Sequence, residues 1–338
     1  MSRPDTDVLI VGGGPAGLAT AIAARLQGLD AMVVDAADAP VDKCCGEGIL
    51  PDGVDALREL GVAIPSDSGR FHGIRFFDAD RMAEGRFGDA SGFGIRRTLL
   101  GQLLLARAGE LGVDLRYGAR VHGVQGAVVQ VDSRRICARW IVGADGFRSH
   151  VRRWADLNAG AASQQTRCGF RRHFEVEQAP DFVEVYWREG FQVFVTPVGP
   201  RAVGVAMTTG DPAMRLDEAL GCLPELACRL GKPLNSERGA VTGNMSLAAV
   251  HRDNVALVGD ASGAVDSITG EGLRLSFRQA QHLARAMALG DLAPYGEAHS
   301  KLACARAPWP TRCCGWLGIH ARATEWCACS IGVPRFFA

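Results

Sequence analysis

The chain has 338 residues, 47% of them hydrophobic, with 37 basic and 37 acidic side chains and 11 cysteines. That length exceeds what a single core usually supports, so one large domain or two closely joined ones are expected. The balanced charge leaves no basic excess for a general nucleic-acid or membrane-surface binder and points to a small-molecule partner.

Val8 to Val11 are apolar and rich in β-branching, as suits a strand of a parallel sheet covered on both faces, and the run from Leu18 to Leu26 favours helix. Between them lies Gly12-x-Gly14-x-x-Gly17, with Pro15 and Ala16 inside it. Gly12 permits the tight turn, Gly14 lets backbone approach a pyrophosphate, and Gly17 lets helix and strand pack closely. A second apolar strand ends at Asp35, eighteen residues past Gly17. A carboxylate there can accept hydrogen bonds from both hydroxyls of an adenosine ribose. Strand, turn, helix, strand and terminal acid together predict a dinucleotide grip. Arg3 ahead of the apolar stretch imitates a signal peptide, but the three glycines and Pro15 interrupt it, so the N-terminus reads as mature fold and the protein as cytoplasmic.

Next come Asp42-Lys-Cys-Cys-Gly-Glu-Gly-Ile49, a short helix from Pro51 to Gly61, and a strand over Phe71 to Phe77. A helix opens near Arg96 and Arg97 and closes near Gly109. Strands follow over Gly112 to Tyr117, Ala119 to Val124, Val128 to Val131 and Trp140 to Gly143. From Cys168 to Thr209 the texture changes to long antiparallel-type strands carrying Phe170, Phe174, Phe182, Tyr186, Trp187, Phe191 and Phe194. Each ring taken singly reads as sheet core, whereas together they suit a flat apolar ligand. Asn254 to Val258 is another buried strand stopping at Gly259-Asp260, and Gly270-Glu-Gly272 opens an amphipathic helix to about Leu289.

The odd cysteine count, with no export signal, fits reduced thiols. Cys304, Cys313, Cys314, Cys327 and Cys329 crowd the C-terminal segment without the spacing of common zinc sites, so no metal is expected. No window offers the roughly 20 uninterrupted apolar residues of a spanning helix.

Three separated elements, Gly12-x-Gly14-x-x-Gly17 with Asp35, Asp145-Gly-Phe-Arg-Ser-x-x-Arg152, and Gly259-Asp260-Ala261, resemble in order and content the signatures of the FAD-dependent monooxygenases related to p-hydroxybenzoate hydroxylase. The Cys-Gly-Glu-Gly loop is similar to that of a branch grouping geranylgeranyl reductases with hydroxylases of type III polyketide products. The resemblance implies an α/β fold (α+β overall): a Rossmann-like FAD-binding domain with a parallel sheet and an inserted antiparallel-sheet substrate domain. The expected division is FAD-binding over 1–70, 94–165 and 251–290, substrate domain over 71–93 and 166–250, and a helical, cysteine-rich segment over 291–338.

It further implies FAD as cofactor, NAD(P)H as a transient donor, and O2 with a small apolar or aromatic substrate as partners. No second glycine fingerprint exists for a stably bound nicotinamide, and the oligomeric state is left open. Cofactor contacts are expected from Gly12, Gly14, Pro15, Ala16, Gly17, Asp35, Cys45, Gly46, Arg97, Val121, Asp145, Gly146, Gly259, Asp260, Gly270 and Gly272, with Arg96 a competitor of Arg97. Substrate contacts are expected from His72, Tyr186, Trp187, Phe194 and Pro197. The leading activity is hydroxylation through a flavin C4a-hydroperoxide; the alternative is hydride delivery to an isoprenoid double bond, which needs a proton donor, with a non-catalytic flavin carrier as a third reading. Cys45 and Glu47 are the catalytic candidates. Cys45 equally suits packing, and Glu47 equally suits pairing with Lys43 or a backbone N–H. The Trp-x-Trp-x-Ile-Pro segment of flavin-dependent halogenases is absent. The reductases' Tyr-x-Trp-x-Phe-Pro segment is matched only by Phe191-Gln-Val-Phe-Val-Thr-Pro197, which lacks the tryptophan.

Overall fold

The computed structural model describes residues 4–79, 81–158, 162–264 and 270–304. Two large sheets face each other across one cavity. The first has the strand order His251–Arg252, Val255–Leu257, Arg134–Gly143, Thr6–Val11, Ala31–Asp35, Asp114–Tyr117. All pairings from Val255–Leu257 to Asp114–Tyr117 are parallel; the His251–Arg252 edge runs antiparallel, as do Val128–Val131 and Val121–Gln125, which join off this path at Arg134–Gly143. Its strands read as unbroken apolar runs because both faces are covered. Val8, Ile10, Val33 and Val142 pack against helices Pro15–Leu26 and Gly272–Leu289. Leu9, Val11, Met32, Val34 and Ile141 pack on the other side with Val129, Val131 and Ile136, from a meander that extends strand Arg134–Gly143.

The second sheet has the order Arg238–Ser246, Ala162–Glu175, Ala202–Thr209, Phe191–Gly199, Val183–Arg188, Gly73–Asp78, Arg81–Arg86. It is antiparallel except where Gly73–Asp78 joins Val183–Arg188 in parallel, because that strand arrives from an earlier stretch of chain. Strand alternation splits its side chains into two sets. Tyr186, Val193, Val195, Val203 and Val205 face outward under the short helices Leu216–Gly221 and Pro224–Ala227. The alternate positions, among them Val185, Phe194, Thr196 and Ala206, face the cavity. A small sheet, Gly48–Ile49, Gly92–Gly94 and Gly69–Phe71, bridges the two layers.

Fold class is thus as the sequence implied. Cys313, Cys314, Cys327, Cys329 and the side chain of Cys304 lie outside the described residues, as does most of 291–338 beyond helix Ala293–Cys304. No metal-binding cluster occurs among the described residues, and none of their helices is long and apolar enough to cross a membrane.

Candidate functional site

The cavity measures about 780 Å³ and lies at the carboxyl ends of the parallel strands, where open α/β sheets bind ligands. Its two walls differ in kind. The wall built by the parallel sheet holds the glycine turn and the charged groups Asp35, Lys43, Arg97, Arg120, Asp145 and Asp260. The wall built by the second sheet holds Val183, Val185, Phe194, Thr196, Ala206 and Thr208, joined by Phe71, Ile74 and Phe76, and among the described residues that line it none is ionisable.

The glycine turn is packed to the limit. A Cβ on Gly17 would lie 1.8 Å from the Gly12 carbonyl oxygen, and one on Gly12, whose φ is +112°, would lie 2.4 Å from that of Ala144. Gly14 is different: a Cβ there would project toward the Arg97 guanidinium at 3.6 Å, with nothing closer. Arg97 opens helix Arg97–Glu110, and Arg96 is only its cap residue. The Arg97 Nε is buried with no hydrogen-bond partner among the described residues. A cation so aimed over the first turn of helix Pro15–Leu26 suits a diphosphate. Asp35 accepts from the Gly13 N–H (2.6 Å) and the Ala37 N–H (2.8 Å) at the end of its strand. Tyr117 donates to the Gly13 carbonyl (2.9 Å), and burial beside the Asp35 charge raises its phenol above the usual range.

Asp145 has a structural task as well as its place in the lining. It accepts from Ser149 Oγ (2.5 Å) and from the His150 (2.6 Å) and Val151 (3.2 Å) N–H groups, holding the start of helix His150–Trp154. Arg152 then ties the middle signature to the last, donating to the carbonyls of Phe147 (2.9 Å) and Ala261 (3.1 Å). Behind Gly259 and Asp260, Gln279 accepts from the Gly259 N–H (2.8 Å), and His299 meets Ser262 Oγ at 3.0 Å. Burial pushes His299 down to about 4.

Of the expected cofactor residues, Gly12, Gly14, Pro15, Ala16, Asp35, Cys45, Gly46, Arg97, Val121, Asp145, Gly146, Gly259, Asp260, Gly270 and Gly272 all line the cavity. Gly17 does not; it packs helix on strand. Space stays open where side chains on Gly46, Gly270 and Gly272 would project. This cradle, with the unpartnered Arg97 nitrogen, fits a flavin dinucleotide.

The FAD binding domain family matches residues 5–212. The chain belongs to that family. It is therefore an FAD-dependent oxidoreductase, in a group that contains both monooxygenases and reductases. It is 29% identical to the menaquinone reductase of Mycolicibacterium smegmatis over 90% of this chain and 79% of that protein. It is 28% identical to the rifampicin monooxygenase of Rhodococcus hoagii over 86% of this chain and 66% of that protein. Among solved structures, a flavoprotein/dehydrogenase from Cytophaga hutchinsonii superposes with a TM-score of 0.80 at 19% identity, covering 96% of this chain and 89% of that one.

The substrate-side expectations need correction. Phe194 lines the cavity, but His72, Tyr186 and Pro197 do not. Each is one residue out of phase with a neighbour that does: Phe71, Val185 and Thr196. His72 meets Ser91 Oγ at 3.2 Å, and the Pro197 carbonyl packs against Gly69 and Gly94. Tyr186, 2% exposed, stacks on Phe77 across the outer face and donates to Glu184 (2.9 Å). Trp187 shares the face of Val185 but packs on the Phe76 and Val185 cluster beyond the lining. Phe170, Phe174 and Phe191 belong to the outward core, and Phe182 lies under Arg75 and Arg86. The residues missed, Phe71, Phe76, Val183, Val185, Thr196 and Thr208, share an alternation that was visible once any one inward position was known.

Both catalytic candidates, Cys45 and Glu47, line the cavity, but their surroundings differ. Cys45 lines the cavity, its sulfur accepting from the Glu47 N–H at 3.3 Å. Burial, with Cys45 adjoining, pushes the neighbouring Cys44 thiol up to about 12. Lys43 pairs with Asp260 (3.3 Å), not with Glu47. Glu47, 1% exposed, is bound by Arg171, by His173 (2.6 Å) and by the Arg97 N–H (2.7 Å). Both of its carboxylate oxygens thus have partners, and the backbone-binding alternative accounts for only one of the three.

Proposed function

We infer that the protein is an FAD-dependent monooxygenase that hydroxylates a neutral aromatic or polyketide-derived molecule, with NAD(P)H as transient donor and O2 as co-substrate. The observation that carries this reading is the pairing, in one cavity, of a charged dinucleotide wall with a substrate wall free of ionisable groups. Gly12 to Gly17 and Arg97 would hold the diphosphate, Asp35 the adenosine ribose, and Asp260 with the opening of helix Gly272–Leu289 the flavin end. Bound FAD supplies the two-electron chemistry, accepting reducing equivalents and passing them to oxygen.

The protein's task is then to orient the substrate and keep water away. Phe71, Phe76, Val185 and Phe194 do this by apolar contact, and Thr196 and Thr208 offer the substrate face its hydroxyl groups. Proton donation is poorly served, which favours oxygen transfer over double-bond reduction. Glu47 is committed to Arg171 and His173, and burial disfavours the thiolate that donation by Cys44 would leave. The second reading, reduction of an isoprenoid-like double bond with Cys45 as donor, draws support from the coverage shared with the menaquinone reductase.

Incubating the FAD-loaded enzyme with candidate substrates under air and under nitrogen decides between them. Substrate-stimulated O2 uptake with a product gaining one oxygen atom is expected. An anaerobic gain of two hydrogens would replace this reading with the reductase, and Cys45→Ser should then cut turnover with flavin still bound.

A further inference from the structure

One buried cluster, used above only as what occupies Glu47, joins the two walls. Arg171 and His173 stand at alternate positions on strand Ala162–Glu175 of the second sheet, so their side chains share a face. Arg171, 2% exposed, reaches across to the loop that carries Lys43, Cys44, Cys45 and Gly46 and binds it at both ends. One guanidinium nitrogen meets Asp42 at 2.9 and 3.2 Å, and the other makes a short ion pair with Glu47. Arg238 adds a contact to Asp42 at 3.4 Å.

Glu47 completes the lock. Its backbone sits at φ +61°, a left-handed conformation that a glutamate adopts only when its surroundings impose it. One carboxylate oxygen takes Arg171 and the Arg97 N–H, and the other takes His173 Nε2 at 2.6 Å. His173 is itself held. The Asn235 carbonyl oxygen accepts from the His173 backbone N–H (3.0 Å), which turns the Asn235 amide nitrogen toward Nδ1 (2.6 Å). Nδ1 therefore accepts and Nε2 donates to Glu47. The neighbouring strand leaves room only because residue 204 is glycine, where a Cβ would lie 2.9 Å from Glu47 Oε2.

We propose that Arg171, Glu47 and His173 are positioning residues that stake the Asp42–Glu47 loop to the substrate sheet, so that this sheet sets where Cys44, Cys45 and Gly46 stand in the cavity. The assignment holds whether the enzyme hydroxylates or reduces. It makes the loop a fixed wall coupled to the substrate layer, and it makes Arg97 answer to the same carboxylate.

Alkylation by iodoacetamide, mapped by mass spectrometry on the FAD-loaded protein, tests this. Cys222 and Cys228 are exposed and report reagent activity, while Cys137 and Cys168 report the rest of the fold. In Arg171→Met, labelling of Cys44 and Cys45 should accelerate by roughly tenfold or more, with Cys137 and Cys168 unchanged and the visible flavin band shifted. Arg171→Lys, which keeps a cation able to reach one carboxylate, should return part of the protection. Should Arg171→Met fail to fold, Gly204→Ala crowds Glu47 without removing a charge and should give the same selective acceleration. Wild-type labelling rates at Cys44 and Cys45 in these variants, or a parallel rise at Cys137 and Cys168, would overturn the proposal.

Discussion

The two walls of the cavity come from the same chain but follow different rules. The parallel-sheet wall is a set of backbone constraints: Gly12 and Gly17 packed too tightly for a methyl group, a carboxylate at a strand end, carbonyls strapped by an arginine. The second-sheet wall is a set of uncharged side chains brought together by which way they point. Mutations should therefore act on the first wall through geometry and on the second through chemistry.

The largest effect is expected inside the glycine turn itself. Gly17→Ala places a methyl against the Gly12 carbonyl, and loss of the cooperative thermal transition is the expected result. Gly14→Val projects into the cavity instead, so it should fold with a normal melting curve yet purify colourless. A yellow Gly14→Val protein would break the contrast between scaffold glycine and cofactor glycine. Asp260→Ala also releases Lys43 and should weaken FAD binding by about tenfold or more, measured by fluorescence titration.

On the opposite wall, Val185→Asp should leave FAD bound while raising the substrate KM by about tenfold or more, because it sets an unpaired charge on an uncharged surface. Tyr186→Phe, one residue along, should leave turnover untouched and cost about 1 kcal/mol of stability through its lost bond to Glu184. If Tyr186→Phe changed KM instead, the assignment of the two faces would be reversed. A separate prediction concerns pH. His299 titrates near 4 when folded against an ordinary 6.5, so the unfolded chain binds the extra proton between those values. Stability should be full above about 6.5 and decline as pH falls toward 4, and His299→Gln should flatten that part of the melting-temperature profile.

The contrast between the walls also explains what the sequence disclosed. The glycine turn, Asp35 and Asp260 were legible because backbone demands restrict residue type at fixed spacing. The second sheet was legible as a sheet, but a run such as Val183-Glu-Val-Tyr-Trp offers two faces and no internal mark of which meets the ligand. Choosing Tyr186 over Val185 followed ring chemistry where strand parity decides. Glu47 was noticed for its loop, yet its side-chain partners Arg171 and His173 lie more than a hundred residues away, and spacing cannot report such pairs. Arg171 and His173 stand at alternate positions of a strand rich in polar residues, so nothing local singled them out.

Arg152 has a consequence for how such a protein can change. Its bond to Ala261 spans 109 residues, and five of the seven strands of the second sheet lie within that interval. With the two rims of the insertion strapped together, the intervening sheet can be recut for a new substrate while the cofactor seat keeps its shape. The arginine works as a hasp, closing one compartment so that the other can be refurnished.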